Sequence, residues 1–137
     1  MKTETKIKIV RFGLVAMGLF LLIIGLGHIF FPELTHRIVG QRAFDPSHPF
    51  MSLAAREMGI LFFVFGVASL IAALNPLEYK WLVFIVVLSS ALSDINRASA
   101  TTCERLWIVM VISIILWLLI VIFYPYTKKL YEDIHCS

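Results

Sequence analysis

The stretch VRFGLVAMGLFLLIIGLGHIFF, from Val10 to Phe31, decides the fold of this chain. After Arg11 it contains no Asp, Glu, Lys or Arg, and a helix needs roughly 20 mostly apolar residues to cross a hydrocarbon core about 30 Å thick. Its apolar run is longer than the core of a secretory signal, and Pro32-Glu33 is a poor cleavage site. We therefore expect a membrane-spanning helix that the mature protein retains.

Three other stretches have the same apolar character. The predicted spans are residues 10–31, 53–74, 81–96 and 106–124. With 137 residues, 60% of them hydrophobic, the chain has room for four spans and short connections but not for a separate soluble domain. The predicted fold is all-α: a polytopic membrane protein whose single domain, residues 1–137, is a four-transmembrane-helix bundle.

The placement of the lysines predicts the orientation. If the N-terminus is cytoplasmic, all six lysines fall on the cytoplasmic side and every cation of the outer loops is an arginine. Basic residues are in excess on the cytoplasmic side of membrane proteins, and lysine suits a surface that faces anionic lipid. Both termini are therefore predicted to be cytoplasmic, which puts Cys103 and Cys136 on opposite sides of the membrane.

The connections between spans are predicted from their turn residues. Leu34 and Ile38 share one face of a short interfacial helix that Gly40 would end. The proline-containing segment that follows, up to Pro49, is predicted to be irregular. Asn75-Pro76 predicts a tight turn between the second and third spans.

The third span becomes polar before it ends, in the sequence LSSALSDINRA. Ser90, Asp94 and Arg97 are four and three residues apart, so they share one helical face. In the second span Arg56 heads a stripe of small residues, and such stripes mark close helix contacts in membranes. We therefore predict that Arg56 points inward, as does His28 beside the glycines of the first span. The stripe in the second span consists of Gly59, Gly66, Ser69 and Ala73.

Alternating topology brings these polar groups together near the outer leaflet. The predicted ligand-binding site consists of His28, Arg56, Glu57, Ser90, Asp94 and Arg97. Asp94 would lie within reach of Arg56, with His28 close by. Two arginines and one aspartate leave a surplus of positive charge, which suits an anionic or carbonyl-bearing ligand. Ionisable groups at membrane depth are costly and often mark a site.

A purely structural interpretation of the same residues stays open. Asp94 and Arg97 would then be a surface pair, or solvated residues beyond the last buried turn. His28 would be a core histidine bonded to a backbone carbonyl, and Glu57 would only favour the N-terminus of its helix.

Other classes of function are excluded by the motifs that the sequence lacks. There is no His/Cys spacing suited to zinc, no CxxC, no Gly-rich phosphate loop and no HExxH. The basic residues are few and lie next to the predicted spans, so no nucleic-acid partner is expected. The residues predict no metal site, and they identify no cofactor.

The segments GLGHIFFPE, AAREMGILFFVFG and SDINRA give the chain a resemblance to the DoxX-like assemblage of small four-helix bacterial membrane proteins. The resemblance implies a bundle in the bacterial cytoplasmic, or inner, membrane with polar groups from its first three helices. Some members are linked to quinone-coupled redox chemistry, but no cofactor motif in this sequence carries that link over.

Two classes of function are the resulting expectations. The first is a binding or accessory membrane protein: it partners a larger membrane complex or a second copy of itself, or binds a lipid, a quinone or a small anionic ligand. The second is a membrane enzyme, with quinone- or lipid-linked redox chemistry. In that enzyme His28 would be the acid or base, and Arg56 and Arg97 would hold an anionic or carbonyl group. The sequence does not decide between them.

Overall fold

The computed structural model describes residues 3–39, 49–100 and 106–125, and all the regular structure within these ranges is helical. The all-α prediction is confirmed. Four long helices overlap the predicted spans, and the short helix is the one predicted through Leu34 and Ile38. The helices are α1 Thr3–Phe30, α2 Pro32–Val39, α3 Pro49–Leu74, α4 Lys80–Ala100 and α5 Leu106–Phe123.

Two helices begin earlier than predicted. α1 begins at Thr3 instead of Val10, because the polar residues before the apolar run include good helix formers such as Lys and Glu. α3 begins at Pro49 instead of Leu53. Proline suits the first position of a helix, where its missing N–H would have had no helical partner. The irregular backbone predicted for Pro49 is therefore wrong, and the rest of that prediction, residues 40–48, lies outside the described residues.

Two of the described helices are long and apolar enough to cross a membrane: Glu4–Phe30 within α1 and Phe50–Leu74 within α3. A shorter apolar helix, Ile108–Phe123, lies within α5. Large apolar side chains point outward along the long helices, as at Ile23, which is 71% exposed. Extended apolar surface of this kind marks contact with lipid or with another protein. The chain is therefore a helical protein with two helices suited to a membrane.

Glycines bring α1 and α3 into close antiparallel contact. Gly18 faces Gly66, and Gly25 faces Gly59, so residue numbers rise along one helix as they fall along the other. A Cβ atom added to Gly25 would lie 2.7 Å from the backbone nitrogen of Phe63 and 2.8 Å from the carbonyl oxygen of Gly59. The two backbones can approach this closely only because neither helix has a side chain at these positions.

Ser69 adds a hydrogen bond to the same contact. Its hydroxyl donates to the carbonyl oxygen of Leu14 across the helix pair at 2.8 Å, and the side chain is fully buried. Close packing and interhelical hydrogen bonds are what hold helices together where the hydrophobic effect is weak. The contact face predicted for Gly59, Gly66 and Ser69 is confirmed.

The remaining long helices complete the packing around α1. α5 packs against α1 and α4, and α4 packs against α3 and α5. The tight turn predicted at Asn75-Pro76 is present, and the Tyr124 hydroxyl at the end of α5 donates to the carbonyl oxygen of Pro76 at 2.9 Å. This hydrogen bond ties α5 to the α3–α4 turn.

Candidate functional site

The polar face of α4 points into the protein. Ser90 and Asp94, one helical turn apart, are both buried, and Asp94 is only 4% exposed. The apolar residues beside them, Leu92 and Ile95, are exposed instead. A helix that turns its carboxylate inward and its aliphatic side chains outward suits apolar surroundings. The inward orientation predicted for Ser90 and Asp94 is confirmed, and the alternative of a solvated Asp94 is wrong.

Trp117 of α5 is one partner of this carboxylate. Its indole Nε1–H donates to Oδ2 of Asp94 at 3.2 Å. Ser113 lies one turn before Trp117 on α5 and is also buried. Four side chains that can hydrogen-bond therefore line the buried faces of α4 and α5. We call this set the α4–α5 polar site: Ser90, Asp94, Ser113 and Trp117.

The sequence prediction missed the α5 half of this site. It singled out neither Ser113 nor Trp117. A signal was present: Ser113 and Trp117 are four residues apart, hence on one face, within the apolar run IVMVISIILWLLIVIF of Ile108–Phe123.

His28 lies in a different environment, at the end of α1. Its Nδ1 is 2.9 Å from the carbonyl oxygen of Ile24, and because a carbonyl can only accept, Nδ1 carries the proton in this contact. The ring centre lies 5.0 Å from that of His36 in α2, at an interplanar angle of 81°, and 5.9 Å from that of Phe62 in α3. His28 and His36 are both buried. The sequence prediction did not identify His36.

Arg56 does not point inward: its side chain is exposed, and so is that of Glu57. The predicted orientation of Arg56 is wrong by one residue of helical phase. Three residues separate Gly59 from half-buried Phe62, the next residue of the stripe. Four residues separate Gly59 from the preceding residue of the stripe, which is Ala55. The buried and half-buried stripe of α3 consists of Ala55, Gly59, Phe62, Gly66, Ser69 and Ala73.

Packing geometry explains this phase. Helices that cross at a small angle stay in contact through residues that recur every 3.5 positions, so spacings of three and four alternate. Arg56 lies about 100° around the helix from Ala55. Ala55 is buried and Arg56 is not.

The six predicted site residues thus occupy separate places. Ser90 and Asp94 belong to the α4–α5 polar site, and His28 lies against α2. Arg56 and Glu57 are on the exposed side of α3, and the side chain of Arg97 lies outside the described residues. The predicted surplus of positive charge required two arginines in the site, and one of them, Arg56, is not there.

The chemistry of the α4–α5 polar site is that of hydrogen bonding. One hydrogen bond joins a carboxylate to an indole N–H, and a buried serine hydroxyl lies one helical turn away on each of the two helices. Within residues 3–39, 49–100 and 106–125, no three His, Cys, Asp or Glu side chains come close enough together to hold a metal ion.

Comparisons with protein-family models, with curated proteins and with solved structures found no match to this chain. The resemblance to the DoxX-like assemblage therefore stays a prediction.

Proposed function

We propose that this chain is a multi-pass integral membrane protein in which α1, α3, α4 and α5 all cross the bilayer. At a rise of 1.5 Å per residue, the 21 residues of α4 and the 18 of α5 extend about 31 and 27 Å. Both lengths are close to the thickness of a hydrocarbon core, about 30 Å. Outward-facing apolar side chains on all four helices support this proposal; examples are Ile23, Leu61, Phe84 and Ile115.

The proposed orientation has both termini in the cytoplasm of a bacterial cell. A membrane-impermeant maleimide applied to intact cells should then modify Cys103 and leave Cys136 unmodified, because these residues lie on opposite sides of the membrane in this topology. Permeabilised cells should show modification of both, and the Cys103→Ser and Cys136→Ser variants identify each signal. Modification of Cys136 in intact cells without that of Cys103 would reverse the orientation.

The proposed role is that of a binding or accessory protein whose ligand site is the α4–α5 polar site. The observation that carries this proposal is Asp94, a buried carboxyl group on a helix whose neighbouring side chains are apolar and exposed. Ionisable groups inside a membrane are rare, face the protein interior and commonly mark ligand or ion sites. Ser90 and Ser113, each one turn from the Asp94–Trp117 pair on its own helix, add two buried hydroxyls.

The kind of ligand follows from the groups on offer. The carboxyl of Asp94 and the indole N–H of Trp117, with a serine hydroxyl one turn away on either helix, can bond a head group that carries hydroxyl or carbonyl oxygens. With Arg56 exposed, the balance of charge favours an uncharged head group over a small anion. Among the predicted ligands, a quinone or a lipid with a neutral polar head fits best. The apolar tail of such a ligand would remain in the bilayer against the outer face of the helices.

This role predicts that ligand binding depends on Asp94. Lipid extraction and mass spectrometry of the purified protein should identify a quinone or neutral lipid in the wild type. In Asp94→Asn, its amount per protein should fall at least about 10-fold, because a hydrogen bond to a charged group contributes about 1.5–3 kcal/mol.

Two controls keep this experiment decisive. Arg56→Gln, which changes an exposed side chain of α3, should retain the ligand at the wild-type level. Melting curves in detergent report whether Asp94→Asn is still folded, so that a loss of ligand can be separated from a loss of structure. Equal amounts of ligand in the wild type and in a folded Asp94→Asn variant would contradict the proposal.

A membrane enzyme is the second candidate, and the His28–His36 pair favours it. Histidine is the commonest general acid or base, and the bond to the Ile24 carbonyl holds the ring of His28 in one tautomer. Redox chemistry on a quinone or a lipid would be the reaction class. If the extracted ligand is a quinone, its reduction should be followed during incubation with an electron donor. Reduction by the wild type that is lost in His28→Gln would favour the enzyme.

A further inference from the structure

α2 is held against α1 along one of its faces. The side chain of His36 is buried beside His28, with 5.0 Å between the ring centres. Thr35 packs over Gly27, where an added Cβ would lie 2.6 Å from the Thr35 hydroxyl oxygen. That hydroxyl also donates to the carbonyl oxygen of Phe31 at 2.9 Å. The contacts along this face fix the rotation of α2 about its own axis, and α2 also packs against α3.

A second face of α2 is apolar and turned away from the protein. Leu34 and Ile38, one turn apart, are 53% and 65% exposed. Phe30, the last residue of α1, and Phe31, which links α1 to α2, are also exposed. Together these four side chains continue the outward apolar surface of α1 beyond the point where that helix ends.

A third face is polar. Glu33 is exposed and lies about 100° around the helix from Leu34. A helix with one side against the protein, one apolar side and one charged side needs surroundings that change from apolar to aqueous across its own width. The boundary between acyl chains and head groups provides such a change over about 5–10 Å.

We propose that α2 lies in the plane of the membrane interface, with Leu34 and Ile38 inserted among the phospholipid acyl chains and Glu33 in the water. This inference rests on the proposed crossing of the membrane by α1. Continuity with the outer surface of α1 identifies the bilayer as the partner of this face. At 8 residues, α2 extends about 12 Å, which is too short to cross the membrane. Its position keeps His28 covered at the level of the interface.

Spin labels with two relaxation agents test this position directly. Single cysteines replace Leu34, Ile38 and Glu33 in a background that carries Cys103→Ser and Cys136→Ser, and the protein is reconstituted in vesicles of phosphatidylethanolamine and phosphatidylglycerol. Oxygen collects in the acyl region and a nickel chelate stays in water. We expect oxygen to dominate relaxation at positions 34 and 38, and the nickel chelate to dominate at position 33. All three side chains are exposed, so the labels should not disturb packing.

A fourth label separates this inference from the proposal on which it rests. Ile23→Cys lies on the outer face of α1, seven residues before Phe30, and should be accessible to oxygen alone if α1 crosses the membrane. Nickel accessibility at 34 and 38 with oxygen accessibility at 23 would overturn the position of α2 and leave the membrane proposal intact. Low accessibility to both agents at 34 and 38 would mean that protein covers this face, which also overturns the inference. Nickel accessibility at 23 would overturn the crossing of the membrane itself.

Discussion

Gly25→Ala is expected to lower the free energy of unfolding by about 1–3 kcal/mol, although it adds a single methyl group. The new Cβ would meet the backbone nitrogen of Phe63 and the carbonyl oxygen of Gly59 at less than 3 Å. Backbone atoms of a helix cannot rotate away as a side chain can, so α1 and α3 must move apart. That separation would also weaken the hydrogen bond from Ser69 to Leu14. Reversible unfolding in mixed micelles of mild detergent and dodecyl sulfate measures the loss.

Gly13→Ala is the matched control, on the same helix and with the same added group. Its nearest neighbours are side-chain atoms instead of backbone, namely the terminal methyl Cδ2 of Leu119 at 2.9 Å and Cγ1 of Ile120 at 3.0 Å, and side chains can shift where backbone cannot. Its loss of stability should therefore be clearly smaller. The larger substitution Gly66→Leu should be severe, whereas Val64→Leu, at an exposed position, should be tolerated. Equal losses at Gly25 and Gly13 would contradict the backbone contact.

The long helices could be predicted from the sequence because the length of an apolar run determines whether it can form a span. The contact between α1 and α3 was also accessible, since glycines on one face identify where two backbones meet. The rotation of α3 at its first turns was harder to predict. Arg56 and Ala55 are adjacent, and small residues three and four positions apart fit either phase of the stripe. Ala55 is selected only because the contact residues of the packed helix pair are separated alternately by three and four positions.

The partners of the polar groups could not be predicted in the same way. His36 meets His28 because Pro32 begins a new helix that packs back on α1, and nothing in the spacing of the two histidines indicates that packing. Trp117 meets Asp94 from α5, a helix whose apolar residues cover nearly every face. A helix that is apolar all round does not reveal by periodicity which side it turns to a neighbour. Such pairings depend on tertiary structure.

The strongest test of the α4–α5 polar site is a double-mutant cycle on Asp94 and Trp117. Asp94→Ala should cost about 1–3 kcal/mol of unfolding free energy, because it leaves the indole N–H without this acceptor in a half-buried position. Trp117→Phe removes that N–H and keeps an aromatic ring. Interhelical hydrogen bonds in membrane proteins average about 0.6 kcal/mol and reach about 1.7, so we expect a coupling energy in that range. The cycle isolates this pair from any other contact that either side chain makes.

In the parallel cycle of Asp94→Ala with Arg56→Ala, the effects should add within about 0.5 kcal/mol, because Arg56 is exposed on α3 while Asp94 is buried against α5. Additivity at Trp117 together with coupling at Arg56 would instead restore the pairing predicted from the sequence, and would move the proposed ligand site back towards an anion-binding cluster.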